Sequence, residues 1–170
     1  MRIRPNRFNI YLLVALLATL GAAGCQSFGK KKEASTLRLH LEVNRDGSDQ
    51  NAPVPINRSD PIYVNVQKQP FLDEGRVVKA EVIEVMGGFA IFIQFDRQGT
   101  WLLEQYSTAN KGRHVAIESE FGEARWLAAP VMNKRISDGT LVFTPDATHA
   151  EAERIVRGLN NVAKASQDKE

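Results

Sequence analysis

The residues of this chain that could do chemistry are few and widely spaced. Its single cysteine, Cys25, is the only thiol, and it stands directly after the apolar run "YLLVALLATLGAAG". The three histidines, His40, His114 and His149, are isolated, so no pair stands at the spacing that turns two imidazoles onto one metal ion from a single helix. The run "DGSDQN" at 46–51 has the carboxylates and amides of a calcium loop, but it lacks the glycine at the sixth place and the glutamate at the twelfth. No glycine-rich stretch joins a strand to a helix in the phosphate-binding pattern, and no serine sits in a nucleophile elbow. No catalytic residue, metal site or cofactor is therefore expected, and the chain reads as a protein that binds and is not an enzyme. Trp101, Arg125 and Trp126 are the residues for that role, because tryptophan and arginine are enriched where proteins meet. The competing reading of "RWLAAP" turns Trp126 inward against the helices and Arg125 to water, since a small core needs a large aromatic.

The cysteine is explained by what precedes it. "MRIRPNR" carries Arg2, Arg4 and Arg7 with no acidic residue, and an apolar stretch of about 14 residues and a small-residue exit follow. That is the layout of a secretory signal peptide. It is shorter than the roughly 20 residues a helix needs to span the hydrocarbon layer. "LGAAGC" resembles the lipobox of bacterial lipoproteins, with Ala22 where leucine is commonest and Leu20 two residues earlier. The resemblance implies cleavage between Gly24 and Cys25 and acylation of Cys25 at its sulfur and new amine. The alternative is ordinary signal cleavage with Cys25 left as a free thiol. A disulfide within the chain is excluded by arithmetic. Several acyl chains, at about 0.8 kcal/mol per buried methylene, would tether the protein to the membrane firmly. Gln26 replaces the aspartate that, in that family, holds lipoproteins at the inner membrane, so the expected place is the envelope, facing the periplasm, at the outer membrane rather than the inner.

Cleavage removes three arginines and leaves 19 basic residues against 20 acidic ones. The basic character of the whole chain is thus partly that of its leader, and a nucleic-acid partner is not expected. Lys30 to Lys32 could meet anionic headgroups, at about 1 kcal/mol each, or remain a solvated linker run.

The elements follow from periodicity. Residues 25–35 read as a lipidated tether and 36–69 as N-terminal strands with a long loop. In "TLRLHLEV", Leu37, Leu39, Leu41 and Val43 alternate with Arg38, His40 and Glu42, which predicts a half-buried strand with His40 on its polar face. "NRDGSDQNAPVPINRSDP" reads as a proline-rich loop and "IYVNV" as a second strand. Gly87-Gly88 predicts a hairpin turn, with Phe89, Ile91, Ile93 and Phe95 on one face of its second strand. Leu102, Leu103, Tyr106 and Ala109 form a helical stripe that ends at Gly112. A hairpin at Phe121-Gly122 and a turn at Asp138-Gly139 follow. The last helix opens with Thr148 and Glu151 at capping-box spacing and buries Ala152, Ile155, Val156, Leu159 and Val162. The order predicts an α+β domain, a mainly antiparallel sheet with two helices on one face, and a polar tail over 164–170.

From residue 70 to 163 this order resembles the head of the first periplasmic domain of SecD, an accessory subunit of the bacterial export channel. The shared features are Pro70, Ala80 opening a strand, Asp96 with Gly99, and a helix closing on Thr108, Asn110 and Gly112. They continue with Ala116 and Ile117, Ala129 and Pro130, Ile136 and Gly139, Thr148 with Glu151 and Ala152, and Gly158 with Leu159. The resemblance implies that fold and contact with extended polypeptide or the export machinery. It implies no catalytic residue, and the membrane helices with which that family couples a proton gradient have no counterpart here. The other role is a structural component of an envelope assembly, with no part in export.

Overall fold

The computed structural model describes residues 33–168. The signal peptide, Cys25 and the cleavage after Gly24 lie outside the described residues, as do the tether up to residue 32 and the last two residues of the tail. The described elements are β1 (Arg38–Leu41), β2 (Asn51–Ile56), β3 (Ile62–Gln67), β4 (Leu72–Asp73), β5 (Val77–Val85) and β6 (Gly88–Phe95). Then come α1 (Arg97–Ala109), β7 (Val115–Glu120), β8 (Ala124–Ala128), β9 (Thr140–Phe143) and α2 (His149–Gln167). The class is the expected α+β, and every strand pair is antiparallel. The strands are divided among three sheets, ordered β4-β1-β7-β8, β2-β3 and β5-β6-β9.

The helix ends are set by the residues the sequence placed there. Asp96 caps α1, its carboxylate accepting from Gly99 N at 2.6 Å. Gly99 has to be glycine, because a Cβ there would lie 2.9 Å from Phe95 Cβ and 3.0 Å from Arg76 Cβ. The capping box of α2 is formed on both sides, Glu151 N to Thr148 Oγ1 at 3.3 Å and Thr148 N to Glu151 Oε2 at 2.7 Å. The main core joins Leu37, Leu39, Ile91, Ile93, Leu103, Ile117, Leu127, Ile155 and Leu159, all out of water. A second cluster packs Val54, Ile56, Val64 and Val66 of the β2–β3 hairpin on Ala116, with Trp126 against it.

That second layer overturns the reading of His40. β1 lies between β4 and β7, and the hairpin covers its other face, so His40 is only 5% exposed. The His40 ring pairs Nδ1 with Gln67 O at 2.8 Å and meets Trp126 edge-on, with centroids 5.0 Å apart. The hairpin also contains the stretch taken for loop, because "NAPVPI" is strand β2 despite Pro53 and Pro55. β2 pairs on one side only, and an edge strand can turn a missing N–H outward without losing a ladder bond.

Smaller shifts have similar causes. The β5–β6 turn falls on Met86-Gly87, one residue early, with Gly87 at φ +89°. The buried line of α1 runs Gly99–Leu103–Ser107, leaving Ala109 exposed, while Tyr106 stacks on Phe71 at 4.2 Å. In α2 the buried positions include Gly158 and Ala163, with Val156 and Val162 half-buried, and the helix runs to Gln167 through what was expected to be polar tail. At the other end Ser35, assigned to the tether, is 3% exposed within the fold.

Candidate functional site

Arg125 and Trp126 alternate on β8 and so face opposite layers. Contrary to the expected packing, Arg125 is the enclosed side chain, 9% exposed, with its guanidinium 3.1 Å from Glu151 Oε1 and 3.4 Å from Glu123 Oε1. It also sits 4.9 Å from the Phe121 ring centroid. None of its three nitrogens finds a well-formed hydrogen bond among the described residues. Trp126 packs on the β2–β3 hairpin and not on the helices. The hydrogen bond from Thr148 N holds the Glu151 carboxyl below the usual range, and Arg125 lowers it further. Trp101 is 58% exposed on α1, in a shallow hollow shared with Glu104, Gln105, Thr108 and Arg135. The three residues expected at an interface therefore do not converge.

The histidines stay apart as well. His114 takes its place at the opening of β7 and meets Glu42 Oε2 at 2.8 Å through both its backbone N–H and its ring Nδ1. His149 stands between Glu84 and Glu153. In the 46–51 loop, Asp46 Oδ1 accepts from Ser48 N and Asn51 Nδ2, so its carboxylate closes its own turn. Among the described residues no three His, Cys, Asp or Glu side chains come together as a metal set.

The feature that does converge is an apolar cleft of about 520 Å³, walled by Leu103, Val115, Val131, Met132, Leu141 and Val142, with Lys134, Arg135 and Asp138 at its rim. A second hollow of about 520 Å³ shares Pro130 and Val142 with it and continues over Ile62, Val85 and Phe143; no charged residue lines it. Large apolar side chains are left in water around the pair: Val131 is 39% exposed, Val142 48%, Ile62 50% and Val85 39%. Scattered single exposures need no explanation, but a cluster around a hollow marks a binding surface.

The backbone walls of the cleft are unpaired strand edges. Phe95 N donates to Gly139 O at 2.9 Å, and the register Ile93↔Leu141 and Ile91↔Phe143 continues that series in steps of two. In an antiparallel ladder the intervening Val142 then turns its own N–H and C=O to the free edge of β9. Across the cleft, Val115 N donates to Pro130 O at 2.9 Å and Met132 N to Arg113 O at 2.9 Å. These bonds bracket the His114↔Val131 bridge and turn the N–H and C=O of Val131 away from β7. Neither Val131 nor Val142 was visible as a site residue. The only sequence signals were the outward position of Val142 in "TLVF" and the ladder-breaking Pro130 before Val131.

No protein-family model matches the chain, and the comparison with curated proteins found no match. Two solved structures of SecDF are similar in fold. One, described as a membrane component that enhances protein export, has a TM-score of 0.55 at 16% identity, over 76% of this chain and 63% of that one. The other, SecDF in a Super-membrane-facing form, has a TM-score of 0.55 at 18% identity, over 76% of this chain and 19% of that one. The fold is SecD-like. The chain spans less than two thirds of either SecDF chain, and identity this low speaks for the fold alone. Several residues behind the resemblance have structural tasks: Asp96 caps α1, Asn110 Nδ2 donates to Tyr106 O at 3.0 Å, and Thr148 with Glu151 opens α2. Among the described residues no helix is long and apolar enough to cross a membrane.

Proposed function

We propose that this chain is a bacterial envelope lipoprotein, tethered through acylated Cys25 and facing the periplasm. In this reading its SecD-like domain binds extended polypeptide close to the export machinery and catalyses no reaction. The observation that carries the binding role is the apolar cleft bounded by Val131 and Val142, two exposed apolar residues whose main chains turn away from their own ladders. The fold shared with a SecDF chain described as enhancing protein export supports the choice of partner. Trp101, beside Arg135 at the border of the cleft, adds a large exposed aromatic for the partner to meet. The proposed place of the anchor is the outer membrane, a choice supported by Gln26 standing where the lipoprotein family has the aspartate of inner-membrane retention.

Two experiments test the proposal. Cells grown with radiolabelled palmitate should label the wild-type protein and leave the Cys25→Ser variant unlabelled and uncleaved; label retained in the variant refutes the anchor. Crosslinking in cells should then capture short-lived, unfolded secretory clients. Capture of one stoichiometric envelope protein instead would refute the export reading and assign the domain to a structural assembly.

A further inference from the structure

We infer that the cleft takes an extended peptide as an added strand, inserted between β9 and the segment Pro130–Met132, with main-chain bonds to Val142 on one side and Val131 on the other. This rests on the polypeptide-binding reading above and specifies how that binding is made. The other sheet edges carry guards at several positions. β2 carries Pro53 and Pro55, and β4 is two residues long. At the edge of β5 the Asn160 amide takes both Ala80 groups, accepting from its N–H and donating to its C=O, each at 2.9 Å. At β8, Leu127 O accepts from Asp146 N at 2.7 Å. Prolines, short strands and covering side chains are how sheets avoid unwanted pairing. β9 has no such guard at Val142 among the described residues, and the unguarded edge faces a cleft instead of flat solvent.

The occupant is defined by what the walls lack. Unpaired N–H and C=O groups on both sides call for a second main chain, which a small apolar ligand does not supply. The lining beyond Val142 is uncharged and mostly apolar, so it suits apolar side chains. At the rim, Arg135 is engaged by Glu104, and the Asp138 carboxylate accepts from Thr140 N at 3.1 Å. Lys134 forms no close ion pair among the described residues, but its charge reaches the Asp138 carboxylate, so the rim offers both signs. The fitting ligand is an extended, alternately apolar segment of about the length of β9.

The test uses the full chain in a non-ionic detergent. Its probes are a reduced, unfolded secretory protein, the blocked hexapeptide Glu-Thr-Val-Thr-Val-Thr, and the same peptide N-methylated at alternate residues. Calorimetry should give micromolar binding for the unfolded protein and the plain peptide, with a loss of about tenfold or more on methylation or in Val142→Pro, since one lost bond to a buried partner is worth about that factor. Proline at an outward-facing N–H of an edge strand is the tolerated position, and the methylated peptide makes the same test on the unaltered protein. Amide exchange at Val131 and Val142 should slow about tenfold or more when the peptide binds. If client and peptide bind equally well to Val142→Pro, with methylation and exchange unchanged, strand insertion is overturned and polypeptide binding stands. If the folded wild type binds neither at high micromolar concentration, both readings fall. Protection of the Val142 amide without peptide, together with a doubling of mass, would assign the edge to a second copy and overturn the inference.

Discussion

Gly158→Ala sets two known effects against each other, and the structure decides which wins. In an isolated helix the change should stabilise by about 1 kcal/mol, because alanine is the best helix former and glycine among the worst. Here Gly158 is buried on α2, and an added Cβ would overlap Ser35 Oγ and lie 2.7 Å from Ser35 N and 2.8 Å from Ser35 Cβ. Ser35 cannot step aside freely. The next residue is held by Thr36 N to Glu120 O at 3.0 Å and Ser119 Oγ to Thr36 O at 2.7 Å. The preceding stretch is strapped to the same helix by Arg157 to Glu33 Oε2 and by Asn161 Nδ2 to Glu33 O, both at 2.9 Å. Overpacking a site that cannot relax costs about 1–3 kcal/mol, and loosening the straps adds to it. The net expectation is a loss of about 1–2 kcal/mol, a fall in Tm of about 3–8 °C for a domain of this size. Thermal and urea melts of wild type, Gly158→Ala and Gly158→Ala/Ser35→Gly measure it. The double variant should recover part of the loss, since it removes two of the three colliding atoms. A higher Tm for Gly158→Ala would show that helix propensity governs the site and that residues 33–36 are not seated as described.

The core and the titrating groups give two further expectations. Ile93→Ala should cost about 2–5 kcal/mol in denaturant melts, since the residue is wholly buried in the central strand of its sheet. His40→Ala should cost about 1–3 kcal/mol, because it leaves Gln67 O without its ring partner, and a value near zero would show that the hairpin does not rest on it. The Glu151 carboxyl is held below its ordinary value near 4.5, so its stabilising effect is complete above that pH and is lost as the pH falls through the lower folded value. Glu151→Gln should therefore be less stable than wild type at neutral pH, with the gap closing in melts taken below about pH 4.5.

What the sequence revealed was whatever depends on neighbours along the chain. The Thr148–Glu151 box, the Asp96 cap and the hairpin near Gly87 are all formed by residues within a few positions of one another, and each is present. The alternation in "TLRLHLEV" correctly located a strand and failed on His40 for a definite reason. Period-two patterning separates the faces of a strand but does not say that a second layer covers the polar one. That layer is a hairpin whose prolines hid it. Arg125 was misjudged similarly, because burial of a charge depends on Glu151, which lies 26 positions further along, coming within 3.1 Å. The cleft was the least legible feature. Val131 and Val142 are ordinary apolar residues in two short segments, and only the hydrogen-bond phase of each ladder shows that each turns its backbone away from its own partner strand beside the cleft both line.

That space stays open because its surroundings are held from outside it. The loop 133–137, which borders the cleft, is fastened to α1: Ile136 N donates to Ser107 Oγ at 2.9 Å, and Arg135 Nε donates to Glu104 Oε1 at 2.7 Å. Ser107 is 1% exposed, a polar residue where the stripe of α1 would otherwise take an apolar one. A buried hydroxyl without a partner would be costly, and here it is satisfied by Glu104 O as well as by the loop N–H. On the other side, Met132 is tied twice, its N–H to Arg113 O and its C=O to Gly112 N at 2.8 Å, so Val131 cannot swing across to pair with β9. β9 is in turn fixed by its register with β6, and that register orients Val142. Each wall thus owes its position to a partner on its far side. Val131 and Val142 both border the cleft with main-chain groups turned away from their own ladders, which is where the proposed peptide would supply the missing bonds.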